Sequence, residues 1–194
     1  VIDTFSSEDS LIINNQQQAI DQKKFQPLSP QAGKTITFID GGQAEILSAA
    51  QFNLSFIRVC AVLFRDTKKI SIQKKEYYLL TTVHYENNDY YYHSRVFSDN
   101  TFLIPNLQIR ATDPAISTGH RRAPLSVMSS MARRFSELAL AGQAMADFIV
   151  LDGTLEATYP GEENYLARAR TNFIALAKTS DLVTVKGNNP LQLL

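Results

Sequence analysis

The sequence predicts an α/β fold in which a mixed sheet begins with an antiparallel meander and helices pack on the sheet. Three observations predict it. Two apolar runs rich in β-branched residues end in Asp-Gly, at residues 35–41 and 148–153, as buried strands do. Two tyrosine-rich segments with a period of two follow the first run. The spacing of apolar residues then changes to about 3.6, the period of a helix.

The predicted elements begin after a polar leader. Residues 1–34 are rich in Gln, Ser and Asp, and the apolar positions from Leu11 to Ile20 predict one short helix that ends before Pro27. The predicted domain then covers residues 35–194 and opens with the first Asp-ending strand.

An antiparallel meander follows this strand. The apolar segment Phe52 to Phe64 predicts a long strand, and the polar residues 65–75 predict a hairpin tip. Tyr77 to Tyr85 and Tyr90 to Phe97 predict two further strands, and the residue types of Glu86-Asn87-Asn88-Asp89 favour a tight turn between them.

The second half of the chain predicts helices and parallel strands. Apolar residues at helical spacing predict a helix from about Ala123 to Ala146, before the second Asp-ending strand. Residues 162–172 predict a second helix, and residues 173–177 predict another buried strand. A strand–helix–strand unit of this spacing predicts two parallel strands with a right-handed crossover.

Composition limits the function classes. With 194 residues, of which 44% are apolar, the chain is suited to one domain. Lys plus Arg total 19, and Asp plus Glu also total 19, so the net charge is zero. No global electric field therefore attracts nucleic acid or a membrane. Cys60 stands alone in an apolar run, which favours a core residue and a reducing, cytoplasmic setting. No segment predicts a membrane span or a signal peptide, so we expect a soluble protein without a membrane partner.

Two aspartates follow the apolar runs, and a glutamate lies on the helix between them. Asp40 and Asp152 suggest a metal site, because carboxylates at the edge of a sheet suit divalent cations that prefer oxygen. A plainer alternative stays open for both, since Asp-Gly is also a strong turn signal. Glu137 lies on the flank of the apolar stripe, where a surface carboxylate paired with Arg133 is the common outcome.

The order of the elements and four short segments resemble a known family. A meander that starts with an acidic strand, followed by a helix and parallel strands, is the order of a ribonuclease H-like domain with a mixed five-stranded sheet. Four segments, in order and at matching spacing, resemble the NurA nuclease domain: Phe38-Ile39-Asp40-Gly41-Gly42, Arg133 to Leu138, Ile149 to Leu155 and Ala175 to Leu182. The resemblance covers residues 35–194.

This resemblance implies a metal-dependent DNA nuclease. Asp40, Glu137 and Asp152 match the catalytic metal ligands of the family, which would hold two Mn²⁺ or Mg²⁺ ions. Family members act as exonucleases and single-strand endonucleases that process DNA ends in repair, together with a HerA-type hexameric ATPase. The resemblance therefore implies DNA and such an ATPase as partners, and a homodimer as the working form. Two ions suit the reaction, because they activate the attacking water and neutralise the leaving oxygen.

Basic residues near these positions are candidates for binding nucleic acid. Arg133 and Arg134 on the predicted helix would contact phosphates, and Lys178 is expected near the aspartates at the end of the last strand. Arginines on an exposed helix face are also commonly just solvated, and that alternative stays open.

The chain departs from the family in two places. The family usually has Ser in place of Gly42, and it carries further active-site residues, including a histidine, beyond the point where this chain ends at Leu194. We therefore expect that the C-terminal part of the family domain is missing. His84, His93 and His120 all precede the second Asp-ending strand and cannot fill that role. One alternative is an inactive scaffold or interaction module of the same fold. Another is a sugar- or phosphate-transferring enzyme, although the sequence lacks the glycine-rich phosphate loops that it would need.

Overall fold

A computed structural model of the chain describes residues 10–13, 16–19, 29, 31–98, 104–117, 119, 121–168, 172–177 and 183–184. The chain divides into two compact units. The larger unit covers residues 33–176, and the smaller combines residues 1–32 with residues 177–194.

The smaller unit contains a three-stranded antiparallel sheet. Its strands are β1 (Ser10–Ile13), β2 (Gln16–Ala19) and β10 (Val183–Thr184), in the order β10-β1-β2. The short helix predicted in the leader is therefore wrong over β1 and β2. These two segments satisfy their backbone hydrogen bonds by pairing with each other instead.

The larger unit is built on a seven-stranded mixed sheet. In chain order its elements are β3 (Thr35–Ala49), β4 (Phe52–Arg65), β5 (Lys68–Glu86), β6 (Asp89–Phe97), β7 (Leu107–Arg110), α1 (Val127–Gln143), β8 (Phe148–Asp152), α2 (Glu163–Leu166) and β9 (Phe173–Leu176). Across the sheet the strand order is β7-β6-β5-β4-β3-β8-β9.

Antiparallel pairing joins the strands from β3 to β7. Asn87 and Asn88, between β5 and β6, have φ values of 50° and 64°. These are the left-handed values that a two-residue hairpin turn requires and that asparagine accepts. The tight turn predicted at this position is confirmed.

Two strands extend the sheet in parallel on the other side of β3. β8 pairs with β3, and β9 pairs with β8, both in parallel. The parallel pair predicted from strand–helix–strand spacing is therefore confirmed. The Asp-Gly at residues 40–41, however, does not end its strand, because β3 continues to Ala49 in antiparallel pairing with β4.

Helix α1 covers one face of the sheet. Ile39 of β3 and Leu151 of β8 pack with Leu138 of this helix, and the core continues along α1 through Phe135 toward β5 and β6. Alternation along the strands sends the intervening residues to the opposite face, where Phe38 stays exposed. Neither helix in the described part of the chain is long and apolar enough to cross a membrane.

The ribonuclease H-like α/β fold predicted from the sequence is wrong. In the described residues the protein is mostly β: its curled main sheet has seven strands instead of five, and its two helices span 17 and 4 residues. Of the predicted helix over residues 162–172, the described residues form only the short helix α2. The predicted hairpin tip over residues 65–75 is mostly strand, since β5 begins at Lys68. Ile70 and Ile72 alternate with polar residues, which is the pattern of a strand.

Candidate metal centre

Asp40 and Asp152 occupy neighbouring positions on two parallel strands. The parallel pairing of β3 with β8 runs to Ile39↔Leu151, and the two aspartates are the next residue on each strand. Neighbouring strands lie about 4.8 Å apart, so the two backbones hold these carboxylates side by side. Ile39 and Leu151 are buried on the α1 side, and alternation therefore directs both aspartates to the opposite face.

Glu137 lies on the α1 side of β3. Its side chain is only 4% exposed, and its carboxylate forms an ion pair with Arg133, one helical turn earlier. Arg133 also donates to Gln43 Oε1 through Nε (2.7 Å) and to the Gly41 carbonyl oxygen through Nη1 (3.4 Å). Arg133 thus ties the helix to β3 and holds Glu137 beside the residue that follows Asp40.

The three predicted ligands do not form one ready-made metal site. Within the described ranges, the one group of three potential ligands whose atoms lie within 4.8 Å of one another is His84, Glu86 and His93. The strand register places Asp40 and Asp152 on the same face of the sheet, whereas Glu137 faces the helix side. For all three to share an ion, Glu137 would have to exchange Arg133 for the metal and reach past β3.

Burial raises the pKa of Glu137 to about 7, from an ordinary value of 4.5. The guanidinium of Arg133 opposes this shift through its charge and its hydrogen bond, and the charge of Arg134 opposes it further. The negative charge of Asp40 adds to the shift, so these two carboxylates are electrostatically coupled. Glu137 therefore changes its charge near neutral pH.

Gly41 allows α1 to lie close against β3. A Cβ at this position would be 2.7 Å from Glu137 Oε1, 2.8 Å from Val59 Cγ1 and 3.0 Å from Arg133 Cγ. Such separations are well inside the optimum of about 3.5–4.0 Å for carbon contacts. A side chain at residue 41 would therefore push the helix residues or the core residue Val59 away.

Replacing Gly41 by alanine is expected to lower the free energy of unfolding by about 1–3 kcal/mol, because the added methyl group overpacks this contact. Equilibrium unfolding in urea measures the change. Gly42→Ala is the matched control, since nothing lies within 4 Å of a Cβ built at that position. Equal stability of the two variants would contradict the close approach.

Two of the predicted DNA-binding residues already contact other parts of the protein. Arg133 is partly exposed and pairs with Glu137. Arg134 is 12% exposed, and its guanidinium donates to Glu162 Oε1 (2.8 Å) and to the Thr154 carbonyl oxygen (2.5 Å). Lys178 lies outside the described residues. Arg133 is therefore the more accessible of the two arginines for a phosphate.

Sequence reasoning missed the role of Glu162. Its side chain is fully buried and accepts hydrogen bonds from Arg134 and from the backbone N–H groups of Thr158 (2.8 Å) and Tyr159 (3.1 Å). The charged partner is 28 residues away in the chain, so no local pattern marks this pair.

Comparison with known proteins adds no relative. No protein-family model, curated protein or solved structure matches the chain. The resemblance to the NurA domain therefore rests on its four segments alone.

Proposed function

We propose that this chain is a divalent-metal-dependent DNA nuclease in which Asp40 and Asp152 hold the ion. The observation that supports it best is the parallel register of β3 and β8, which sets the two carboxylates side by side at the end of β8. Mg²⁺ is commonly bound through one or two carboxylates and keeps several waters. Mn²⁺ prefers oxygen ligands in a similar way. This pair fits that donor set, and Asp40 is exposed enough to leave space for waters and a phosphate.

Each nearby residue has a defined task in the proposed reaction. A bound Mg²⁺ or Mn²⁺ ion would activate water and neutralise charge on the phosphodiester. Asp40 and Asp152 fix its position at the sheet. Glu137 lies behind β3 on the helix side, where Arg133 holds its carboxylate, so its charge acts on the aspartates only through space. The second ion implied by the resemblance would require Glu137 to give up its pairing with Arg133.

A partner that delivers DNA fits the charge of the chain. Basic and acidic residues balance at 19 each, so the protein has no global field that would attract a polyanion. The proposal therefore includes a HerA-type hexameric ATPase that brings DNA ends to the site, and a homodimer as the working form.

Metal-dependent cleavage tests the proposal. The wild type is expected to degrade labelled single-stranded DNA or duplex DNA with exposed ends in Mn²⁺ or Mg²⁺, and to stop in EDTA. Asp40→Asn and Asp152→Asn are each expected to lower the rate at least about tenfold, because each removes a charged ligand. Calorimetric titration with Mn²⁺ should show a matching loss of binding, and circular dichroism checks that both variants are folded.

Asp66→Asn is the matched control for these variants. Asp66 lies in the turn between β4 and β5 at a φ of 53°, a conformation that asparagine also adopts, and its Oδ1 accepts the Gly33 N–H at 2.6 Å. This variant should cleave DNA like the wild type. If the wild type neither cleaves DNA nor binds Mn²⁺ in a way that Asp40→Asn abolishes, the nuclease proposal fails. The chain would then be a non-catalytic interaction module.

A further inference from the structure

Two histidines and a glutamate meet beside the turn that joins β5 to β6. His84 and Glu86 are two residues apart on β5, and His93 stands on β6 opposite Thr82. Tyr92 is buried on the α1 side, so alternation places His93 on the open face of the sheet with the other two side chains. The hairpin register therefore assembles the group from two regular strands.

The spacing of the ligand atoms suits a small divalent ion. His93 Nε2 is 3.4 Å from Glu86 Oε1, and His84 Nδ1 is 4.0 Å from the same oxygen. Two ligands at about 2.0–2.1 Å from a tetrahedral Zn²⁺ are themselves about 3.4 Å apart. The first separation already matches this value, and the second needs a movement of about half an ångström.

The other nitrogen of His84 already has a partner. His84 Nε2 lies 2.8 Å from the hydroxyl oxygen of Thr82. Histidines that bind metals commonly donate their second ring N–H to a neighbouring acceptor, which fixes the tautomer and the ring orientation. Donation from Nε2 to Thr82 leaves the lone pair of His84 on Nδ1, the atom that faces Glu86.

His93 contributes a buried nitrogen that needs a partner. Its Nε2 is shielded from water, and although Glu86 Oε1 lies 3.4 Å away, this nitrogen makes no hydrogen bond within the described part of the chain. Buried polar atoms are nearly always paired, so this one calls for an explanation. The His84 and His93 rings are stacked with centroids 4.2 Å apart and 26° between their planes, so one ring would have to tilt for both lone pairs to reach one ion. That ion would then supply a partner for His93 Nε2.

We propose that His84, Glu86 and His93 bind one Zn²⁺ ion. Two imidazole nitrogens and one carboxylate form a donor set that suits borderline metals such as zinc. Three protein ligands leave the fourth position to water, as in open zinc sites. The side chains of His84 and Glu86 are 46% and 42% exposed, so this position opens to solvent beside a groove that Arg95 and Gln108 also line.

This site is separate from the aspartates of the proposed nuclease centre. Asp40 pairs with Cys60 of β4, which in turn pairs with Lys74 of β5. His84 comes ten residues after Lys74 on the same strand, a path of about 34 Å in extended backbone. Zinc binding at the hairpin can therefore succeed or fail independently of DNA cleavage.

Titration of the metal-free chain with zinc chloride, in competition with a chromophoric chelator, tests the proposal. The wild type is expected to bind one Zn²⁺ per chain. Glu86→Gln and His93→Ala are each expected to weaken binding at least about tenfold, because each removes one of three ligands. Cobalt(II) gives a second readout, since the visible absorption of a tetrahedral Co²⁺ site should appear in the wild type and be lost in both variants.

Two controls separate this site from adventitious binding. Glu76→Gln changes a carboxylate on the same strand with a similar exposure of 43%, and His120→Ala removes the third histidine of the chain. Both should bind Zn²⁺ like the wild type, and circular dichroism in EDTA confirms that every variant is folded. The proposal is overturned if the wild type binds no zinc, if Glu86→Gln and His93→Ala bind as tightly as Glu76→Gln, or if binding depends on His120.

Discussion

Replacing Arg134 by methionine is expected to lower the free energy of unfolding by about 3–5 kcal/mol. The reason is its partner Glu162, whose side chain is completely buried and whose Oε1 accepts from Arg134 Nε at 2.8 Å. Methionine keeps the length and apolar contacts of the side chain but leaves a buried carboxylate without a compensating positive charge. Two backbone N–H groups still bind that carboxylate, which is not enough to balance its desolvation.

Chemical denaturation of the wild type and the variant in urea measures this difference. Arg58→Met is the matched control, because Arg58 pairs with Glu76 at 2.6 Å but both side chains are well exposed. An exposed pair contributes less than about 1 kcal/mol, so this control should be nearly as stable as the wild type. Adding Glu162→Gln to Arg134→Met should recover part of the loss, since the neutral amide removes the buried charge. Equal stability of Arg134→Met and Arg58→Met would refute the argument.

The features that depend on local pattern could be predicted from the sequence. The apolar run before Asp152 marks a buried strand, and the spacing to residues 173–177 indicates its parallel neighbour. The residue types of Asn87 and Asn88 favour the tight turn that they form. In each case the deciding interactions lie within a few residues of one another, so a short window contains the information.

The fold class could not be predicted, because distant pairing overrode local signals. Asp40 and Gly41 have the composition of a turn, yet they stay in β3 because β4 pairs with both of them, through Cys60 and Val59. A glycine inside a strand often marks a close approach, and Gly41 meets α1 in this way. That signal was present in the sequence, but the identity of the neighbouring element was not.

The register of the β5–β6 hairpin brings His84, Glu86 and His93 together. His84 and Glu86 share a strand face because they are two residues apart, and the tight turn then fixes which β6 residues lie beside them. Counting back from Asn87 and Asn88 across the hairpin would have placed His93 next to this pair. Chain order alone does not show the group, because His93 lies beside His84 only through the pairing of β5 with β6.

Between about pH 5 and pH 8 the wild type is expected to lose about 2–3 kcal/mol more stability than Glu137→Gln. Burial raises the pKa of Glu137 from 4.5 in its ordinary state to about 7 in the folded protein. Below the lower value the carboxyl is neutral in both states. Between the two values only the folded state keeps the proton, so the stabilising contribution is present at low pH and is lost as the pH rises through 7. Glutamine stays neutral throughout and removes this dependence.

Urea unfolding of both proteins across this pH range, in EDTA, gives the two curves whose difference is predicted. Glu163→Gln, which neutralises an exposed carboxylate in α2, should follow the wild type. Parallel curves for the wild type and Glu137→Gln would show that Glu137 titrates normally.

Repeating the experiment with Mn²⁺ in place of EDTA tests whether an ion bound at Asp40 changes the titration of Glu137. A cation bound beside Asp40 stabilises the ionised form of Glu137, and it should therefore reduce the loss of stability at high pH in the wild type but not in Asp40→Asn.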